Sequence, residues 1–401
     1  MTDNSATERV LKLGVVGLGR AFTLMLPTLN ADPRVRLCAA ADPRPEARTQ
    51  FRSEFGAAYE TVEELCADPD IEAIYVASPH QMHAQHVEAA AGAGKHVLVE
   101  KPMAISIEQC DAMIDAARKA GTYLIVGHSH SFNRPILRLR ELVESGEFGD
   151  VRMISALNFT DFLYRPRRPE ELVTAEGGGV VFSQGAHQID IIRLIGGGLV
   201  KTVSAATGAW DAARPTEGAY SALLTFENGS FAAATYSGYG HFDSDELMGR
   251  IDEMGRQKPL GLYGATRRAL RLAGSPDIEA SLKSARNYGG PSYQPTESAA
   301  GLQHQHFGFL VASCEKGDLR PLPSGVMVYA DESQRLERLL PPEIPRSEVI
   351  DELYAAVVNG EPPLHSGEWA RATLEVCLAM LLSAQEGRPV ALHHQIAPTA
   401  E

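Results

Sequence analysis

Apolar and polar residues follow two alternating periods over about the first 130 residues. Short apolar runs, which predict buried strands, occupy residues 11–16, 35–41, 73–77, 96–99 and 123–126. Between them, apolar residues three and four positions apart predict helices that begin after residue 19 and that cover residues 44–55, 61–66, 81–93 and 106–119. Strands that alternate with helices form a parallel sheet covered on both faces.

The pattern changes after residue 133. A predicted helix at 135–145 precedes strand-like runs at 151–158, 202–210, 219–227 and 230–237. Asn228-Gly229 joins the last two runs and indicates a hairpin. Hairpin strands form an antiparallel sheet, which packs helices on one face and leaves the other open. Through this open face we expect a homo-oligomer, either a dimer or a tetramer.

A glycine turn follows the first predicted strand. Gly17 permits a tight turn, and Gly19 lets the backbone approach a diphosphate held by free N–H groups and the helix dipole. Arg20, Ala21 and Phe22 continue this turn and are expected to contact the cofactor, although Phe22 stands where a third Gly or Ala is usual. The context predicts a dinucleotide-binding Rossmann domain.

The predicted fold is therefore α/β with two parts. A Rossmann domain spans residues 1–131, and an α+β domain with a mainly antiparallel, open-faced sheet spans 132–401. Within the second part, residues 241–300 have many Gly and Pro and weak periodicity, which is typical of an insertion or lid. Helices are predicted at 347–358 and 368–385.

Asp42 ends the second strand, near the separation expected for the acid that binds the adenosine ribose. A carboxylate there would repel a 2′-phosphate, so NAD is favoured. Arg44 keeps NADP possible because it offers a phosphate partner. The alternative is that Asp42 merely closes its strand.

Ligands of parallel sheets bind beyond the carboxyl ends of the strands. We therefore expect further cofactor contacts from Ser78, Pro79, His83, Glu100 and Lys101. A partly desolvated Lys101 ammonium near the nicotinamide could exchange a proton with a substrate hydroxyl. Alternatively, Lys101 simply pairs with Glu100.

A second group of polar residues follows three glycines at 177–179. Ser183, His187 and Asp190 recur at i, i+4 and i+7 of a predicted helix, so they could direct a hydroxyl, an imidazole and a carboxylate into one cleft. A lone histidine on a helix is more often structural.

Composition limits the partners. The net charge of −14 disfavours nucleic acid and anionic membranes, so an anionic substrate needs a local basic site. Five scattered cysteines without a CxxC motif, no signal-peptide pattern and no long apolar stretch predict a cytoplasmic protein.

Several cations could form that basic site. Candidate substrate-binding arginines are Arg134, Arg165 and Arg168. Two His-x-His pairs, formed by His128, His130, His304 and His306, could donate to a carboxylate or bind a metal. No carboxylate accompanies either pair at ligand spacing, so no metal is expected, and the pleat of a strand explains the spacing equally well.

The glycine turn, Glu100-Lys101-Pro102 and the Gly-Gly-Gly…His187-x-x-Asp190 helix together resemble the Gfo/Idh/MocA family of nicotinamide-dependent oxidoreductases. The resemblance implies that Lys101 and His187 are the catalytic pair. Members often have an Asp four residues before the histidine, where this chain has Ser183. The resemblance therefore gives Lys101 the larger share of proton transfer.

Within that family, residues 19–27, 127–132, 304–307, 317–323 and 363–367 resemble members that oxidise carboxylated aromatic cis-dihydrodiols of the phthalate type to catechols. We expect a small anionic substrate that binds near Ser183, His187 and the basic residues named above. Two alternatives stay open, a sugar, inositol or polyol dehydrogenase and a non-catalytic NAD(P)-binding sensor.

Overall fold

The computed structural model describes residues 9–295 and 301–398. Its first sheet has six parallel strands in the order β3-β2-β1-β4-β5-β6. They are β1 (Leu11–Val16), β2 (Val35–Ala41), β3 (Ala57–Tyr59), β4 (Ala73–Val76), β5 (His96–Val99) and β6 (Leu124–Val126). The order reverses between β1 and β4, which is where such sheets bind dinucleotides. The predicted parallel sheet is confirmed, with β3 as an addition.

Helices cover both faces of this sheet. They are α1 (Arg20–Ala31), α2 (Pro45–Glu54), α3 (Val62–Cys66), α4 (His83–Gly92) and α5 (Ile107–Ala120). Side chains cap two of them, since Thr61 caps α3 and the Ser106 side chain accepts a hydrogen bond from the Gln109 N–H at the start of α5. All five lie where the sequence predicts them.

The second sheet has nine strands in the order β14-β13-β12-β11-β7-β10-β9-β8-β15, and only the β7–β10 pair is parallel. The strands are β7 (Val151–Phe159), β8 (Val200–Gly208), β9 (Ala219–Phe226), β10 (Phe231–Ser237), β11 (Phe309–Cys314), β12 (Gly317–Leu322), β13 (Gly325–Ala330), β14 (Gln334–Arg338) and β15 (Val390–Ala391). The sequence analysis predicts only four of them. The last five are short, and Asp318, Arg320 and Glu337 interrupt the apolar pattern of β12 and β14.

The remaining helices are α6 (Arg134–Glu144), α7 (Ala186–Gly196), α8 (Ala265–Ala273), α9 (Pro276–Ser284), α10 (Ser347–Tyr354) and α11 (Gly367–Glu386). Helix α7 packs in the core of the nine-stranded sheet, whereas Val349, Ile350 and Leu353 of α10 pack against the parallel sheet. Helix α10, although late in the chain, thus packs against the Rossmann half. Over residues 9–295 and 301–398, no helix is both long and apolar enough to cross a membrane.

Candidate active site

The glycine turn opens into a cavity of about 710 Å³ at the carboxyl edge of the parallel sheet. Gly17 has φ of +89°, and a Cβ there would lie 3.0 Å from backbone atoms of Ala77 and Ser78. A Cβ on Gly19 would meet nothing within 4 Å, so this part of the backbone is accessible. Arg20 and Ala21 line the same cavity. These features fit the diphosphate of a dinucleotide.

Phe22 does not line this cavity. Its ring is fully buried and meets the rings of Phe51 at 6.4 Å and Tyr288 at 5.3 Å. The expectation that Phe22 contacts the cofactor is therefore corrected, because its apolar ring turns into the core behind the turn.

Asp42 and Arg44 lie together at the end of β2 and line the cavity. The Asp42 carboxylate accepts a hydrogen bond of 2.7 Å from the Leu18 N–H, and Arg44 Nε and Nη2 donate to both of its oxygens at 3.0 Å. Arg44 Nη1 also donates to the Tyr288 carbonyl at 3.1 Å. Acceptors of the protein itself thus hold the Arg44 guanidinium at the cavity wall.

Ser78 and Pro79, which are predicted to contact the cofactor, line the cavity, and so do His80 and His86, whereas Glu100 and Lys101 are not among its lining residues. His83 does not line it either. It is fully buried, and its ring nitrogens lie 3.0 Å from the carbonyl oxygens of Ser78 and Pro102. His83 therefore supports the two loops instead of contacting a cofactor, which corrects the prediction.

Lys101 follows β5, and its ammonium reaches the other half of the molecule. Nζ donates a 2.8 Å hydrogen bond to the Ser183 carbonyl. Burial, partly offset by the carboxylates of Glu100 and Glu253, lowers the pKa of Lys101 to about 8. Glu100 accepts a 2.5 Å hydrogen bond from the Tyr75 hydroxyl, and the structure gives no ion pair between Glu100 and Lys101. The charge of Glu100 thus raises the pKa of Lys101, but the two side chains form no ion pair.

His187 lies in the first turn of α7, after a π-helical turn at Val181–Gly185. Its ring centroid is 4.7 Å from that of His130 and 5.1 Å from that of Phe307. Its Nδ1 is buried and has no hydrogen-bond partner among the described residues. Burial, followed by the charge of Lys101, lowers the pKa of His187 well below its usual value, so the imidazole is neutral.

The structure does not bring Ser183 and Asp190 into one cleft with His187. The Ser183 hydroxyl donates to the Gly179 carbonyl, and Asp190 accepts from Trp369 Nε1 at 2.6 Å. The Asp190 carboxylate also accepts from Ser131 and Thr373. The prediction of a shared face is corrected, because the π-helical turn changes the register and Asp190 satisfies buried donors.

The first His-x-His pair belongs to the His187 cluster. The His128 and His130 ring centroids are 5.3 Å apart, and burial lowers the pKa of both imidazoles well below 6.5. His128 Nε2 is buried without a partner in the part of the chain that the structure describes. With His187, two buried imidazole nitrogens are thus available to a ligand.

The second pair does not join this cluster through its ring nitrogens. His304 Nε2 lies 2.8 Å from the Leu340 carbonyl oxygen, and His306 Nε2 lies 2.9 Å from that of Ile251. His306 Nδ1 accepts from the Gly308 N–H at 3.0 Å, so Nε2 carries the proton. The predicted substrate role of His304 and His306 is corrected, since backbone groups satisfy their nitrogens.

The arginine-rich loop at 164–169 contributes differently from the prediction. Arg165 pairs with Glu253 at 3.8 Å and remains 41% exposed. Arg167 is 11% exposed and stacks over the Phe162 ring at 3.6 Å. Burial lowers the pKa of Arg167 to about 10, and its charge lowers the pKa of Lys101. Of the arginines in this loop, Arg167 is therefore the one whose charge acts on the amine, although the sequence analysis does not single it out.

Arg134 and Arg168 lie elsewhere. Arg134 is 44% exposed on α6 and pairs with Glu141 at 2.8 Å. Arg168 lines the dinucleotide cavity and pairs with Glu170 at 2.9 Å. Neither position supports the expectation that these two bind substrate, because a carboxylate pairs with each guanidinium.

Two further residues of the site escape sequence analysis. Arg346 is close enough to lower the pKa of Lys101, His128 and His187 by its charge. Phe307 packs against His187 and immediately follows the His304–His306 pair. Arg346, which has a positive φ and precedes α10, belongs to no sequence motif. The sequence analysis does single out residues 304–307, but Phe307, and not the two histidines, packs against His187.

Two sequence models match the chain. The first, described as an oxidoreductase family with an NAD-binding Rossmann fold, covers residues 11–128. The second, the GFO/IDH/MocA C-terminal domain, covers residues 136–249, so the two together span more than half of the chain. The chain belongs to the Gfo/Idh/MocA family. As a member it is an NAD-binding oxidoreductase, which confirms the predicted family, fold class and cofactor.

Individual members of the family show the same relationship. The chain is 50% identical over 386 residues to the 1-carboxy-3-chloro-3,4-dihydroxycyclohexa-1,5-diene dehydrogenase of Comamonas testosteroni, covering 94% of this chain and 95% of that protein. It is 30% identical to the myo-inositol 2-dehydrogenase of Thermotoga maritima over 49% of this chain and 58% of that one. A crystal structure from Bordetella bronchiseptica RB50, assigned as a dehydrogenase, superposes with a TM-score of 0.90 at 40% identity, covering 96% and 100% of the two chains.

Proposed function

We propose that the protein oxidises a carboxylated aromatic cis-dihydrodiol to the catechol with NAD. One observation carries the proposal: the half-buried amine of Lys101 is close enough for its charge to act on His80 of the dinucleotide cavity, on the buried guanidinium groups and on the imidazoles of the His187 cluster. In a chain of net charge −14, such a site favours an anion. The Comamonas relative, whose name specifies a carboxy group and two hydroxyls on a cyclohexadiene ring, supports this substrate class.

Lys101 is the proposed base. Since its pKa is about 8, a useful fraction of the amine is neutral near physiological pH. Nζ accepts the proton of the substrate hydroxyl, the C–O bond becomes a carbonyl, and the hydrogen on that carbon leaves as hydride. NAD, when bound, supplies the hydride acceptor. The ketone enolises to an aromatic catechol, which makes the oxidation favourable.

His187 is proposed to orient the reacting hydroxyl. Its neutral ring and its unpartnered Nδ1 can form a hydrogen bond with the substrate. The Ser183 hydroxyl is committed to the Gly179 carbonyl, so it offers no path for a proton between His187 and Lys101. This supports Lys101 as the main proton acceptor.

Arg167 is the proposed anchor for the substrate carboxylate, with Arg165 beside it. Arg167 donates to the Phe162 carbonyl at 2.7 Å and lies 3.9 Å from Glu171, so its guanidinium retains donors for a ligand. Polyols would instead require neutral or acidic hydrogen-bonding groups. The cationic surroundings therefore favour the dihydrodiol over a sugar or inositol.

NAD is proposed as the preferred cofactor over NADP. Asp42 places a carboxylate on the cavity wall, and Arg44 is bound to Asp42 and to the Tyr288 carbonyl. A 2′-phosphate would meet the carboxylate and would have to displace Arg44 from Asp42 and from the carbonyl oxygens of Tyr288 and Leu18. Ribose hydroxyls carry no charge, so the same carboxylate does not repel them.

We also propose a homo-oligomer, in the cytoplasm, formed through the open face of the nine-stranded sheet. This face exposes Met153, Leu223, Phe231 and Tyr329 to between 36% and 46% of their area. Apolar residues clustered on one sheet face are typical of a subunit interface. Light scattering that gives the mass of a monomer at micromolar concentration would contradict it.

The function is tested by following absorbance at 340 nm with NAD and three substrates. They are a carboxylated cis-dihydrodiol, the same diol without the carboxylate, and myo-inositol. We expect turnover with the first, at least tenfold lower kcat/KM with the second and little with the third. NADH binding without turnover of any substrate would instead favour a sensor.

A further inference from the structure

Residues 276–293, which we call the strap, connect the second half of the molecule to the Rossmann sheet. The strap comprises α9 and the loop that follows it. It lies beyond both matched family regions, which end at residues 128 and 249. Its contacts therefore lie outside the regions that the two family models describe.

The loop end of the strap is anchored in the Rossmann half by Tyr288. This side chain is fully buried, its ring meets that of Phe22 edge to face at 5.3 Å, and its hydroxyl donates to Glu54 at 2.8 Å. Gly289 has φ of +77°, and a Cβ there would lie 2.7 Å from the backbone of Ala47. The loop end of the strap thus packs, through Tyr288, against the ring of Phe22 that follows the glycine turn.

The helical end of the strap is anchored in the second half by Glu279. Its carboxylate accepts two hydrogen bonds from Arg214, at 2.8 and 3.0 Å, and one of 2.6 Å from the Arg167 N–H. Both members of the Arg214–Glu279 pair are less than 9% exposed. A segment held at both ends in this way has a defined position between the two halves.

Between its anchors the strap lines the dinucleotide cavity. Lys283, Ser284 and Asn287 belong to the lining, together with Gly17 and Gly19 of the glycine turn. Lys283 also pairs with Glu171, which lines the cavity too. An amine therefore stands in the same cavity as the backbone suited to a diphosphate.

We infer that the strap completes the cofactor site and that Lys283 binds the diphosphate of NAD from the side opposite the glycine turn. The inference rests on the proposed function only in taking NAD as the ligand. A cation from the second half would then join the two halves through the bound cofactor. Glu171 holds the amine in place before the diphosphate arrives.

The test is NADH binding, measured by fluorescence titration without substrate. Lys283→Met keeps the apolar stem and removes the charge, so we expect the Kd for NADH to rise about tenfold or more, because a charge-assisted hydrogen bond is lost. Lys283→Arg should restore most of the affinity. Lys201→Met, on an exposed lysine of β8, serves as the matched control and should leave Kd unchanged.

Competition by two fragments locates the contact. ADP contains a diphosphate and adenosine does not, so Lys283→Met should weaken ADP binding and leave adenosine binding within twofold. Equal loss for both fragments, or an unchanged Kd for NADH in a folded variant, would overturn the inference. Because no turnover is needed, wild-type protein that binds NADH but oxidises no dihydrodiol would refute the proposed function and leave this test valid.

Discussion

The dinucleotide cavity and the imidazole cluster around Lys101 lie side by side but are built differently. The cavity is large, and its wall combines the glycine turn and strand ends with charged side chains such as Asp42 and Lys283. The cluster is buried, and its chemistry comes from side chains whose pKa values are displaced by burial and by one another. Cofactor binding thus combines backbone shape with charges at the cavity wall, whereas the proposed reactivity depends on a few desolvated groups.

The largest effect should come from removing the amine. Lys101→Met should lower kcat by at least about 100-fold while the Kd for NADH stays within about twofold, because the base is lost and the glycine turn is untouched. In the wild-type protein, kcat/KM should rise with pH up to about pH 8, where Lys101 becomes neutral. Stopped-flow rates and NADH titration measure both. Retained turnover would remove Lys101 from the mechanism.

Next in size is the carboxylate anchor. Arg167→Gln should raise KM for the carboxylated dihydrodiol about 10- to 100-fold, since a charged hydrogen bond is lost, and leave KM for the uncharged diol nearly unchanged. Steady-state kinetics with both substrates measure the difference. Arg152→Gln, on an exposed arginine, is the control. Equal changes for the two substrates would argue against a carboxylate contact.

A smaller effect is expected on the cofactor side. Asp42→Asn removes the charge that faces the ribose and loosens Arg44, so the ratio of kcat/KM for NAD to that for NADP should fall about tenfold. Kinetics at saturating substrate measure this ratio. A lower kcat at saturating NAD would mean that a change in the dinucleotide cavity also alters the imidazole cluster around Lys101.

The smallest effect on kcat is expected at His365. Its Nε2 lies 2.8 Å from the Ser131 hydroxyl, and its Nδ1 lies 2.7 Å from the Glu352 carboxylate. Although burial and the charge of Arg140 oppose it, Glu352 and Asp190 raise the pKa of His365 above 6.5. Its stabilising contribution is therefore complete below about pH 6.5 and is lost as pH rises through the raised pKa.

His365→Gln should accordingly lower the free energy of unfolding by about 2 kcal/mol at pH 6 and by less at pH 9. Urea unfolding at the two pH values measures the difference. The kcat should stay within about threefold, because His365 lies outside the reacting groups. A difference that grows with pH would show that the imidazole is neutral in the folded protein.

Periodicity predicts the parallel sheet because its strands are mostly apolar and alternate with helices, two of which begin at the caps Thr61 and Ser106. It does not predict β11–β14, which are short and of which β12 and β14 carry charged residues. Motifs identify Lys101 and His187 individually. The inward position of Arg167, the partners of Asp190 and the contact between Phe22 and Tyr288 depend on residues far apart in sequence, so no local pattern contains them.

The hydrogen bond from Lys101 Nζ to the Ser183 carbonyl crosses between the two halves of the molecule. If the halves separated, the amine would lose that acceptor and gain water, and its proton affinity would rise toward that of a free lysine. Closure of the two halves and the presence of a neutral amine are thus linked. The proposed base is ready to accept the proton of an alcohol only while the halves are together, so a half-open encounter complex would not react.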